Sequence, residues 1–165
     1  SAIIQNVERN AAVVQAIAEC VADGLPTLVL TDKKEHAMEL VRLVRQHFDS
    51  SNIVRYVAGR HKLAERNEMK VSLETGALKV LVATTVFDEG VNAPGIGALV
   101  LAGGGKAQHR LKQRLGRGMR LSEGKTELAV IDFYDTHSKL MWLHSEARKA
   151  AYKSDPAGYS IEVIS

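Results

Sequence analysis

The sequence predicts an α/β fold: a mostly parallel sheet with helices on both faces. Two observations predict it. Short apolar runs of strand length alternate along the chain with stretches whose apolar residues recur at helical spacing. The runs, such as Leu28-Val29-Leu30 and Val80-Leu81-Val82-Ala83, are apolar at consecutive positions, so both sheet faces must be buried.

The elements follow in order. Val7, Ala11, Val14, Ala18 and Val21 recur at helical spacing, and Gly24 stops that first helix. Leu28 to Leu30 form a strand. Asp32 is placed to cap the next helix, with Glu35 three residues on as its capping-box partner. Ala37, Leu40, Val41, Val44 and Phe48 make that helix's apolar stripe. Ile53 to Val57 read as a second strand, and Leu63, Met69 and Leu73 mark a helix that ends before Gly76. Val80 to Ala83 form a third strand and Ala98 to Leu101 a fourth, followed by a helix through Leu111 and Leu115. Leu128 to Ile131 form a fifth strand. Leu140, His144, Ala147 and Ala151 make a last helix, and Tyr159 to Ile164 alternate weakly, as an edge strand would.

Composition sets the class. The 165 residues are 45% hydrophobic and 25% charged, the balance of one ordinary globular domain. No apolar run approaches the ~20 residues of a membrane span, and the first residues lack the pattern of a signal peptide. The single Cys20 lies in a helical apolar pattern and reads as a buried thiol, consistent with an intracellular, cytoplasmic protein. Six histidines and one cysteine show no metal-ligand spacing. Net charge is only +3, but Lys106 to Lys125 hold seven Lys/Arg against one acid, Glu123. Such a cluster suits either a solvated helix face or a phosphate-bearing partner.

In a parallel sheet the functional loops lie beyond the carboxyl ends of the strands. After the first strand comes Thr31-Asp32-Lys33-Lys34, where a hydroxyl and helix N-terminal amides can hold a phosphate or simply cap the helix. After the second comes Ala58-Gly59-Arg60-His61-Lys62, a solvated turn or a contact for a nucleic-acid backbone. The third ends in Thr84-Thr85, with Asp88, Gly90 and Asn92 before Pro94. Between the fourth and fifth stands Gln113-Arg114-Leu115-Gly116-Arg117-Gly118-Met119-Arg120. Three arginines this close pack poorly without an anion. Arginine suits bidentate phosphate contact, and from a separate module it can stabilise charge on a transferred γ-phosphoryl.

Together these segments resemble the second RecA-like domain of superfamily-2 helicases over nearly the whole chain. Leu28-Val29-Leu30-Thr31 looks like motif IV. Val57-Ala58-Gly59, Glu65-Arg66, Gly76 and Lys79 to Thr84 resemble the stretch leading into motif V, and Thr84 to Pro94 look like motif V. Gln113 to Arg120 match Q-x-x-G-R-x-x-R, the motif VI pattern, at every defined position. The resemblance implies a RecA-like three-layer α/β/α sandwich. It also implies that Arg117 and Arg120 are arginine fingers reaching ATP, with Gln113, Gly90, Asn92 and Asp88 at the nucleotide. Thr31, Lys33, Gly59, Arg60, Thr84 and Thr85 would face a nucleic-acid backbone, which positions a strand without reading its sequence.

Asn92 stands where motif V often carries an aspartate for the ribose. Thr85 and Glu89 replace the Asp and Arg of the DEAD-box form, so the pattern resembles DNA helicases of the repair, restriction and phage type. Ile131 to Asp135 and the helix after them resemble DNA-acting members too. The chain has no G-x-x-x-x-G-K-[ST] phosphate loop; Gly103-Gly104-Gly105-Lys106 reads as a loop at a strand end. It also lacks a D-E-x-[HD] segment. The expectation is one domain, residues 1–165 with a linker remnant at 1–6, acting beside an N-terminal RecA-like domain of the same protein. That partner would hold ATP and Mg²⁺, and the isolated chain would be inactive. Two alternatives stay open: part of a duplex DNA translocase that does not separate strands, and a stand-alone phosphate- or nucleic-acid-binding module.

Overall fold

The computed structural model describes residues 7–57, 61–84, 95–103 and 129–133. Within them the order is α1 (Val7–Ala22), β1 (Thr27–Thr31), α2 (Lys34–Phe48), β2 (Val54–Val57), α3 (Leu63–Glu74), β3 (Val80–Thr84), β4 (Ala98–Leu101) and β5 (Ala129–Asp132). The five strands form one sheet in the order β2-β3-β1-β4-β5, every neighbouring pair parallel. All five predicted strands are present. The predicted helix through Leu111 and Leu115, the Leu140 to Ala151 helix and the Tyr159 to Ile164 strand lie outside the described residues.

Consecutive apolar residues split between two cores, as strand alternation requires. Leu28, Leu30, Leu81, Leu99 and Leu101 face α3, where Met69 and Leu73 meet them. Val29, Val80, Val82 and Val100 face α1 and α2, against Val13, Ile17, Leu40 and Val44. Long side chains thus serve the face with one described helix, and short β-branched ones the face with two. Each fully buried Leu or Val contributes roughly 1.5–3 kcal/mol relative to exposure.

Two helix ends show how the chain is turned into the sheet. At the end of α1, Leu25 N–H donates to Cys20 O and Gly24 N–H to Val21 O, both at 3.0 Å. Gly24 takes φ +73°, the left-handed conformation that this closure needs. At the end of α2, Asp49 takes the same role with φ 49° and ψ 43°, although it is not glycine.

Two expectations are corrected. The inward face of α1 is Arg9, Asn10, Val13, Val14, Ile17 and Cys20; Val7 is 79% exposed and Ala11 is also exposed. The face is rotated because Arg9 and Asn10 turn inward to polar partners, which an apolar stripe cannot report. Asp32 does not cap α2: Lys33 stands at the N-cap without a side-chain cap bond. The capping interaction from a glutamate occurs instead at α3, where Lys62 N–H donates to Glu65 Oε2 at 3.0 Å. Cys20 is buried, as its helical position implied, and burial, with Asp23 and Glu19 nearby, pushes its thiol pKa up.

Candidate functional site

The strand order fixes where a site can lie. From β1 the chain crosses over β3 to reach β2, whereas from β4 it continues to β5 on the other side. Neighbouring strands β1 and β4 therefore send their chains in opposite directions, the arrangement that opens a crevice at their carboxyl ends. The strands stay tied there, because Ala102 N–H and Gly103 N–H both donate to Leu30 O, at 2.8 and 3.3 Å.

Thr31 closes β1 at this edge, and its register partner is Thr84 at the end of β3. Both are buried. The Thr31 hydroxyl is engaged locally: it donates to Lys33 O at 3.0 Å and accepts from Lys33 N–H at 3.2 Å. This turn fixes the entry into α2 and leaves Asp32 and Lys33 exposed at the rim. Around the next loop, the His61 ring stands edge-on to Tyr56, with centroids 6.1 Å apart.

Of the predicted site residues, the structure brings together Thr31, Lys33 and Thr84. Gly59, Arg60, Thr85, Asp88, Gly90, Asn92, Gln113, Arg117 and Arg120 lie outside the described residues. What the fold does supply is their points of departure. Gly59 and Arg60 follow β2, Thr85 follows β3, and the segment holding Gln113 to Arg120 follows β4. Because the strands are parallel, all three leave from the same edge as Thr31.

A polar cluster that the sequence did not announce sits beneath this edge. Arg9 (5% exposed) donates from Nη1 to Ala102 O, just past β4. Its guanidinium also stands over the Phe133 ring, 5.5 Å from the centroid and just past β5. Beside it, His36 Nε2 pairs with Asn10 Oδ1 at 3.0 Å, and both residues are buried. Burial, then the Arg9 charge, pushes His36 down to about 4, so its ring is neutral near pH 7. Among the described residues no three His, Cys, Asp or Glu converge as a metal site would need. No helix among them is long and apolar enough to cross a membrane.

Residues 8–122, well over half of the chain, match the model of the helicase conserved C-terminal domain. The chain belongs to that family. This helicase C-terminal domain is similar to the ATP-dependent DNA helicase RecG of Acidithiobacillus ferridurans, 39% identical over 70 residues that make up 40% of this chain and 10% of the relative. It is also similar to the ATP-dependent DNA helicase uvsW of Enterobacteria phage T4, 31% identical over 102 residues, 61% of this chain and 20% of that one. The crystal structure of T4 UvsW superposes on the helicase C-terminal domain with a TM-score of 0.70 and 19% identity, covering 92% of this chain and 33% of that chain. The superfamily-2 resemblance and the RecA-like fold implied by the motifs are thereby shown. The chain spans about a tenth to a fifth of the length of the curated relatives it matches.

Proposed function

We propose that this domain is the second motor domain of a nucleic-acid-dependent ATPase, supplying Arg117 and Arg120 to ATP held by a first RecA-like domain outside this chain. The observation that carries the reading is topological. The loops after β1, β2, β3 and β4 all leave one edge of a parallel sheet, and one of them holds the whole Q-x-x-G-R-x-x-R pattern. Guanidinium groups delivered to that edge can stabilise charge on a transferred phosphoryl without any covalent step. The partner domain would hold Mg²⁺, and on this side Gln113, Gly90, Asn92 and Asp88 would line the nucleotide.

The same edge serves the nucleic acid. Thr84, Thr85, Gly59, Arg60 and Lys33 would grip phosphates, together with the amides of the turn that Thr31 organises. Closure around ATP and opening after hydrolysis would shift that grip along the strand. The names of the RecG and uvsW relatives support DNA as the partner.

The test is ATP turnover by this chain alone and mixed with a first motor domain from a superfamily-2 DNA helicase, with and without single-stranded DNA. Expected are silence alone, DNA-stimulated turnover on mixing, and loss of most of it in Arg117→Ala with strand binding kept. Turnover by the chain alone, or normal turnover in the mixed Arg117→Ala variant, sinks the reading.

A further inference from the structure

The segment between β4 and β5 departs at Ala102-Gly103 and returns at Ala129. That departure point is the part of the segment that the described residues fix. Ala102 is fully buried, and three contacts converge around it. Ala102 N–H donates to Leu30 O of β1, Ala102 O accepts from the Arg9 guanidinium, and that guanidinium covers the Phe133 ring beyond β5. One side chain of α1 thus ties together the carboxyl ends of the two strands that bracket the arginine segment.

Arg9 is not a packing residue that happens to be charged. A buried guanidinium is costly unless its donors find acceptors, and apolar side chains would fill the same space at lower cost. Its neighbour Asn10 is the partner of His36, in the first turn of α2, so α1 is pinned to α2 next to Arg9. Because α2 starts from the Thr31 turn, the same cluster links the departure points of the β1 and β4 loops.

We propose that Arg9 is a positioning residue of the ATPase reaction: by holding Ala102 and Phe133 together, it sets where the arginine segment leaves the sheet. The inference rests on the proposed role of Arg117 and Arg120. Arg9 touches no reacting atom. A misplacement of about 1 Å at the chemistry can cost about a hundredfold in rate, so loosening this anchor lowers kcat more than it alters nucleotide affinity.

The first measurement uses this chain alone and no ATP. Amide exchange is followed by mass spectrometry in Arg9→Met and Arg9→Lys. Arg9→Met is expected to speed exchange about tenfold at Ala102 and Gly103 and in 129–133, with β2 and β3 peptides unchanged. Arg9→Lys keeps a charged donor for Ala102 O and is expected to restore part of the protection. The second measurement is DNA-stimulated turnover on mixing with the first motor domain. Here kcat falls about tenfold in Arg9→Met, with KM for ATP within about twofold, and Arg9→Lys lies between. Unchanged exchange in folded Arg9→Met overturns the anchor. Faster exchange with unchanged kcat overturns the positioning role. If Arg9→Met does not fold, Arg9→Lys decides, and wild-type exchange and kcat in that variant overturn the proposal. If Arg117→Ala also turns over normally, the arginine reading has failed, while the exchange result still judges the anchor.

Discussion

His36 on α2 donates from Nε2 to Oδ1 of Asn10 on α1 across 3.0 Å, inside a core where neither residue meets solvent. The pair joins helices that also share a core, Val13 and Ile17 with Leu40 and Val44. It also makes folding sensitive to acid. Burial, then the Arg9 charge, holds the folded pKa at about 4 against an ordinary 6.5, with Glu39 pulling weakly the other way. The unfolded chain therefore binds a proton that the folded chain refuses. Stability from this site is intact above about pH 6.5, declines as pH falls towards 4, and declines no further below that. The total is on the order of 3 kcal/mol. Urea unfolding of the chain and of His36→Asn at pH 7.5 and 4.5 checks it. The wild type should lose more stability than the variant between the two pH values, and equal losses would contradict the buried-neutral histidine.

That pair also marks where the sequence stops being legible. Consecutive apolar residues at Leu28 to Leu30, Val80 to Ala83 and Ala98 to Leu101 announced a two-sided parallel sheet, because only such a sheet buries every position. The spacing of Gln113 to Arg120 announced a phosphate-directed segment, because its chemistry is local. Arg9, Asn10 and His36 were silent. Their partners lie 93 and 26 positions away, and a periodicity that counts apolar residues reads Arg9 and Asn10 as outward. It therefore placed Val7 and Ala11 inside, although it was right for Val14 and for Val21, which packs against the core. Val13, Val14, Ile17 and Cys20 do carry an apolar signal for the true face, but its first turn, Arg9 and Asn10, is polar. The Asp32 cap failed for a related reason: the Thr31 hydroxyl already holds the backbone of Lys33, so the turn is closed one residue earlier.

Asp49 ends α2 in the left-handed region, with its N–H on Arg45 O and Gln46 O. An L-residue there costs roughly 1–2 kcal/mol, less for Asn and Asp, and a negative charge at a helix carboxyl end opposes the dipole by roughly 0.3–1 kcal/mol. Asp49→Asn keeps the conformational tolerance and removes the charge. It should stabilise the chain by about 0.5 kcal/mol, whereas Asp49→Val should destabilise it by at least about 1 kcal/mol. Thermal melting of the two variants beside the wild type gives opposite signs if the cap works this way.

Gly97 precedes β4 at a point of close approach. Its N–H donates to Pro26 O at 2.9 Å and its carbonyl accepts from Ala129 N–H at 3.1 Å. A Cβ added there would lie 3.0 Å from Leu25 Cδ2 and 3.4 Å from Leu25 Cα. The side chain can shift, but the backbone beside Pro26 is bonded to Gly97 itself. Gly97→Ala should therefore cost about 1–2 kcal/mol through overpacking. Relief by Leu25→Ala in the double variant, read from chemical unfolding, would show that this contact is the cause.

Thr31 and Thr84 are register partners at the candidate edge, yet they should respond differently to loss of the hydroxyl. Thr31 uses its hydroxyl twice on the backbone of Lys33. In Thr31→Val the part-buried Lys33 N–H loses its partner while Lys33 O keeps Ala37 N–H, so stability should fall by about 1 kcal/mol. Weaker strand binding would then follow from a disordered turn at the start of α2. Thr84 closes β3, whose strand bonds come from the backbone. Thr84→Val keeps the shape and the β-branched preference for a strand, so melting should shift little. If its hydroxyl meets a phosphate, affinity for a fluorescent single-stranded DNA should drop at least about tenfold, since one hydrogen bond to a charged group is worth roughly 1.5–3 kcal/mol. Anisotropy titrations at a fixed salt concentration decide the matter. A Thr84→Val variant that melts and binds as the wild type does would remove Thr84 from the interface and leave the grip to the turn amides and the basic residues.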